Sequence, residues 1–305
     1  MQSDIVNQVI VLCFVMLIGF YGRKKRIIKE EMLKGLTEML LNITLPALLL
    51  ATFNSTYSKE VMQNVIKIFF YSLGIHIFFA LGSNIFTIKS KDERKKILRF
   101  VTIFSNFGFM GYPIMQGVFG NVGVFYASIF GVPFNILLLT FGVILFNKES
   151  KEDIDIKKII FSPGIVFVII GLATFVFKIP YPKTIYKTLE MVGAMTTPLS
   201  MMIVGANFSG VSIKSILKDL DLYYISLVRL ILVPLITFGV LSLLKVDTYL
   251  LKICVILTAM PAGAMVSVFS ERYDSDKSFA AKCVFTTTVL SIITIPIVIT
   301  LLNKI

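Results

Sequence analysis

Charge is what this sequence has least of. Only 16% of its 305 residues are Asp, Glu, Lys or Arg, against roughly 25% in a soluble protein. Tryptophan is absent and histidine occurs once. The three cysteines, Cys13, Cys254 and Cys283, are far apart in apolar surroundings, with no C-x-x-C or metal-ligand spacing. They read as small buried hydrophobes rather than as a disulfide framework or a zinc site. Also missing are H-E-x-x-H, G-x-S-x-G, a Walker A loop and paired catalytic carboxylates. Their absence leaves an intramembrane enzyme or an ATP-driven pump without support. The chain is read as a non-enzyme, with no metal site and no cofactor.

In place of charge the chain carries apolar runs of about 20 residues, the length that crosses a bilayer. They lie near 5–22, 34–53, 66–87, 98–119, 122–146, 159–177, 186–207, 222–244, 249–269 and 279–302. The expected fold class is an all-α polytopic membrane protein with ten transmembrane helices. The first run lacks a basic n-region and a small-residue cleavage site, so it reads as a span rather than a signal peptide. A net charge of +12 does not point to nucleic acid, because Lys and Arg gather in short loops where they set orientation. "RKKRIIKEEMLK" and "KSKDERKKILR" hold six basic residues each and "NKESKEDIDIKK" holds four. The positive-inside rule then makes the odd-numbered loops cytoplasmic and both termini extracellular, in a plasma membrane.

The polar loop 147–158 divides the spans into five and five. An odd number per half requires the second half to enter the membrane upside down, which is an inverted repeat. The expected domains are therefore 1–146, a cytoplasmic linker 147–158, and 159–305. Glu38-Met39 followed by Thr44 and Pro46 is matched by Glu190-Met191 followed by Thr196 and Pro198 at the same spacing. "IFFYSLGI" (68–75) likewise resembles "LYYISLVR" (222–229).

The repeat carries a test. Span four contains "NFGFMGYPIMQG" (106–117), with clustered glycine and a proline, and span nine contains "LTAMPAGAM" (257–265). Proline in a helix removes one backbone bond and clashes one turn earlier, and in hydrocarbon the freed groups find no water. Such a pair of breaks at corresponding positions points to a transporter's binding site. A break at Gly111-Tyr112-Pro113 and another at Pro261-Gly263 would present two half-helix N-termini, each a site of partial positive charge. Asn106 and Gln116 add side-chain amides, and Thr258 and Ser267 lie near the second break. Tyr112 is read as either an aromatic wall or an interfacial anchor. Asn42 and Thr44, with Thr196, Thr197 and Ser200, line the same cavity or bond helix to helix. Asn135 and "TTTVLS" (286–291) read as packing contacts. An ionisable residue inside a membrane is a functional hypothesis by default. The coupling candidates are His76, either a proton relay or a hydrogen-bonded structural residue, Arg229, which snorkels or pairs with Glu190, and Glu271. No acidic pair lies at mid-membrane, which disfavours a cation pump.

Four stretches, "LLNITLPALLLATF" (40–53), "SNFGFMGYPIMQGVFG" (105–120), "MTTPLSMMIVGANFS" (195–209) and "AMPAGAMVSVFSERYDSD" (259–276), resemble the auxin efflux carrier family of membrane transport proteins. That family includes bacterial malate and malonate permeases and plant PIN carriers. The resemblance implies a ten-span 5+5 inverted repeat with a bile-acid-symporter-like fold. It implies a panel bundle from spans 1, 2, 6 and 7 and a core bundle from spans 3–5 and 8–10. Spans four and nine would cross at their breaks, with the substrate beside them and the core moving against the panel in alternating access. Asn106, Gly111 and Pro113 would belong to one crossing element, Pro261 and Gly263 to the other. The plant carriers' Asn-Pro-Asn is absent, since Pro113 lies between Tyr112 and Ile114, and their long cytoplasmic loop is reduced to 147–158.

The expected function is a secondary transporter or facilitator of a small organic anion, with a carboxylate favoured. The alternatives are a sodium-coupled symporter of larger amphipathic anions and, from another class, a non-transporting membrane sensor or scaffold. The expected partners are the organic anion and the lipid bilayer, with a homodimer as a candidate assembly and no nucleic acid.

Overall fold

A computed structural model describes residues 2–54, 58–87, 92–146, 157, 160–210 and 216–304. Apart from Lys157, the 147–158 linker lies outside them. The described residues are helical almost throughout, and the only strand-like feature among them is a single backbone bridge between Ser105 and Ala262. Among the described residues, seven segments are long and apolar enough to cross a membrane: Asn7–Lys24, Glu30–Thr52, Lys59–Gly82, Phe107–Phe146, Lys183–Asn207, Leu220–Leu243 and Lys277–Leu302. Pro163–Val176 and Thr248–Thr258 are shorter apolar helices.

The 40-residue segment Phe107–Phe146 would be about 60 Å long if straight, twice the hydrocarbon thickness. It is not straight. Gly120 sits inside it at φ 63° and ψ −153°, a region essentially closed to residues with a Cβ. No atom lies where a Gly120 side chain would go, so the backbone angle, not space, requires glycine there.

Prolines inside these helices are absorbed rather than obeyed. Wide π-type turns occupy Leu40–Thr44, Phe107–Gly111 and Val228–Leu232. Each ends two residues before a proline: Pro46, Pro113 and Pro234. Widening one turn relieves the clash of the ring with the preceding carbonyl and lets the helix continue. The Pro46 counterpart in the second half behaves differently, since the chain turns at Met195 before the helix Thr196–Asn207 that carries Pro198.

The chain forms two compact units. The first comprises Met1–Phe69, Gly108–Val132 and Ile156–Gly210. There the helix Gln2–Lys24 packs along Thr196–Asn207, and Leu45–Thr52 packs on Pro163–Val176 and Lys183–Ala194. The first of these contacts is made backbone to backbone. A methyl group at Gly205 would overlap the Met16 carbonyl, and one at Gly19 would overlap the Met202 carbonyl. Small residues at such a seam let helices approach closely in lipid. Ile28, Leu33, Leu40, Ile203 and Ala206 form a buried cluster at its side.

The second unit comprises Phe70–Phe107, Pro133–Asp155 and Val211–Ile305. Leu220–Leu227 and Met265–Arg272 both pack on Lys277–Leu302. Asp247 caps Thr248–Thr258 by accepting from the N–H groups of Tyr249 and Leu250, and Asp276 caps Lys277–Leu302 through Phe279 N–H. Such caps satisfy donors that a helix start leaves open. Phe100, Phe146 and Phe269 pack with centroids 5.1–5.8 Å apart.

Candidate functional site

Two helices of the second unit stop in mid-course. Asp92–Ile103 ends at Phe104-Ser105-Asn106, and helical structure resumes at Phe107. Thr248–Thr258 ends before Pro261-Ala262-Gly263, and helix resumes at Met265. The second break falls where the sequence places it. The first does not: Gly111, Tyr112 and Pro113 are buried inside continuous helix, and the break lies seven residues earlier. Pro113 is accommodated by the π-type turn before it. Ser105 and Asn106 carry the interruption, residue types that compete with helix for backbone hydrogen bonds.

The two interruptions meet as an antiparallel pair. Asn106 N–H donates to the Pro261 carbonyl at 2.7 Å, and Gly263 N–H donates to the Phe104 carbonyl at 3.1 Å. Ser105 and Ala262 face each other between these bonds. Proline has no N–H, so position 261 serves as acceptor only. Gly263 is needed for closeness: a Cβ there would lie 3.0 Å from the Ser105 carbonyl oxygen.

Four further backbone groups at the breaks find side chains. Arg229 is 1% exposed. Its Nε donates to the Met260 carbonyl at 3.0 Å and its NH1 to the Thr102 carbonyl at 2.8 Å. NH2 donates to the Thr258 carbonyl. Arg229 thus neither snorkels nor pairs with Glu190, whose exposed side chain accepts from Tyr186. Its guanidinium fork spans carbonyls at the ends of both interrupted helices, where the helix dipoles are negative. Ala262 N–H donates to Thr287 Oγ1 at 3.1 Å, and that hydroxyl donates onward to the Cys283 carbonyl at 2.7 Å. Such pairing is what lets a broken backbone persist away from water.

One polar group at the crossing stays unpaired. Asn106 is 3% exposed, and its amide nitrogen has no hydrogen-bond partner among the described residues. Among the residues whose side chains are described, no Asp or Glu is buried, whereas Arg229 is. Its charge offsets the two negative helix ends, and the Asn106 amide leaves an open donor beside them.

The other candidates fall elsewhere. Gln116 and Thr197 meet in the first unit, where Thr197 Oγ1 donates to Gln116 Oε1 at 3.1 Å. Asn42 is exposed and its amide donates to the Glu38 carbonyl of its own helix at 3.0 Å. Thr44 likewise bonds its own turn, at the Leu40 carbonyl. His76 is buried in the second unit, with Nδ1 2.7 Å from the Ser72 carbonyl. A carbonyl only accepts, so Nδ1 bears the proton in that bond. The ring stands edge-on to Phe134 at 5.3 Å. Glu271 is exposed at a helix end, 3.7 Å from Lys277 Nζ. An apolar groove of about 320 Å³ lies between Leu230, Pro234, Phe238, Val255, Ile297 and Leu301, with Thr294 as its hydroxyl; it offers nothing to orient an anion.

The sequence reading missed Arg229 as the clamp and Thr287 as a partner of the break. The usable signal was a lone arginine in an apolar span, in a chain with two broken spans that expose carbonyls. Outside the spans, Arg94 donates to Asp219 at 2.9 Å and Asp221 at 2.7 Å and lies over the Phe279 ring at 4.1 Å. Burial draws its guanidinium down, but bonds and charge from Asp221 and Asp219 outweigh this and hold it above its ordinary value. Among the described residues no three His, Cys, Asp or Glu side chains gather to hold a metal ion.

Apolar helices of bilayer length, with two shorter interrupted helices joined at a polar crossing, make a multi-pass membrane protein, and its relatives make it a transporter rather than an enzyme. Residues 4–299 match the family model described as membrane transport protein, and the chain belongs to this family, the auxin efflux carrier family. It is 29% identical to an uncharacterized transporter of Methanocaldococcus jannaschii, over 95% of this chain and 96% of the relative. It is 23% identical to an uncharacterized transporter of Methanothermobacter thermautotrophicus, over 97% of each chain.

Proposed function

We propose that this transporter carries a small organic anion, a carboxylate by preference, as a secondary carrier or facilitator working by alternating access. The observation that carries the reading is the charge balance at the crossing. Arg229 neutralises the negative ends of two interrupted helices, no carboxylate is buried among the residues whose side chains are described, and the Asn106 amide has an unspent N–H. The starts of the following half-helices keep their partial positive charge, which suits an anion. The proposed architecture is ten spans in a 5+5 inverted repeat, in a plasma membrane with both termini outside. The Gly120 corner and the two interrupted helices favour ten spans over seven, because they divide long segments and join short ones.

The test is uptake of labelled mono- and dicarboxylates by proteoliposomes of the full chain, with sodium or choline as the outside cation. Saturable uptake of one carboxylate, competed by its analogues and lost in Asn106→Ala, is the expected result. Uptake of cationic or neutral solutes with no carboxylate competition would overturn the anion reading. Carboxylate uptake that requires sodium would replace it with the symporter.

A further inference from the structure

Where transmembrane helices are interrupted, the carbonyls at their C-terminal ends are the groups with which transporters hold a coupling cation. Here those carbonyls are occupied by a side chain. Thr102 and Thr258 supply the end carbonyls of the two interrupted helices, Met260 supplies one from the break itself, and all three accept from Arg229. The donor arrives from Val228–Leu232, a π-type turn ahead of Pro234. The widened turn is where a helix side chain can be re-aimed, and such turns recur at functional positions.

We infer that Arg229 is a tethered cation. It is a positioning residue whose charge fills the carbonyl set of both interrupted helices, fixes the two breaks to each other, and occupies the place a metal cation would need. Only arginine fits this task among the basic residues. Its planar fork carries five N–H groups and reaches three carbonyls from different segments at once, whereas lysine offers a point charge. A charge so buried is tolerated only with its hydrogen bonds made, and each nitrogen of the guanidinium has a carbonyl. The inference rests on the crossing being part of the transport site and adds how that site is held.

The experiment is thermal unfolding of the purified full chain in equal, low, non-denaturing concentrations of sodium, choline or guanidinium chloride. The wild type should melt at one temperature in all three. Arg229→Gly should melt well below it and regain at least half of the lost degrees in guanidinium relative to choline. If the glycine variant does not accumulate, Arg229→Lys and Arg229→Gln decide: lysine keeps a cation and should melt above glutamine, which keeps only hydrogen-bond donors. A sodium-specific rise in the wild type, a glycine variant indifferent to guanidinium, or a glutamine variant equal to lysine would overturn the inference. Chloride is the anion in every arm and no carboxylate enters these measurements, so their failure would remove the tethered cation and leave the carboxylate reading to its own uptake test.

Discussion

In the first unit two transmembrane helices approach until Gly19 and Gly205 meet the opposite backbone. In the second, two helices stop short and are joined through their ends by backbone pairs and one arginine. Lipid gives no hydrophobic drive for helices to associate, so contact must come from close packing or from hydrogen bonds. The first unit uses packing, backbone against backbone. The second uses hydrogen bonds, and therefore concentrates polar groups at one place.

The largest difference between the units should follow from Arg229→Met. Three buried carbonyls lose their donor, and each group left unsatisfied costs about 1–3 kcal/mol. Thermal unfolding in detergent would read this as the steepest loss of any single change. Next comes Gly205→Leu, where the clash is with backbone and cannot relax by a rotamer change, at about 3 kcal/mol. If that loss proved negligible, the seam would not be held by close approach. Thr287→Val removes the acceptor of Ala262 N–H, at about 1–2 kcal/mol. Thr287→Ser should restore most of it, which separates the hydroxyl from the methyl group.

Pro113→Ala should change stability by about 1 kcal/mol or less, because Pro113 lies in continuous helix and its ring is already accommodated. A collapse of folding in this variant would move the break back to where the sequence suggested it. Smallest is Glu271→Gln. Its exposed ion pair with Lys277 is worth roughly 0–1 kcal/mol, and unfolding should shift by no more than that.

Much of this was legible in the sequence because it depends on residue type. The apolar runs locate the helices, the corner between 119 and 122 appears as Gly120, and Pro261 with Gly263 marks the second break. The first break was misplaced because proline is a stronger local signal than Ser105-Asn106, yet a π-type turn absorbs proline at low cost. Which of two nearby irregularities opens depends on the pairing of Ser105 with Ala262, a contact more than a hundred residues distant. The same is true of Arg229. Its span is readable from composition, but its carbonyl partners arise only when Thr102, Thr258 and Met260 are folded together. Asn42 and Thr197 show it too: residue type did not reveal that Asn42 bonds its own helix at Glu38 while Thr197 reaches Gln116.

The joined crossing is tested most directly by a disulfide between Ser105→Cys and Ala262→Cys. An antiparallel pair that does not share its own hydrogen bonds sits with Cα atoms about 4.5 Å apart, inside the range a disulfide accepts. With a protease site inserted in the 147–158 loop, the folded, oxidised and nicked chain should migrate as one species on a denaturing gel. Each single-cysteine chain serves as the control for Cys13, Cys254 and Cys283. Two separated halves from folded, oxidised protein would show that the interrupted helices are not joined at Ser105 and Ala262.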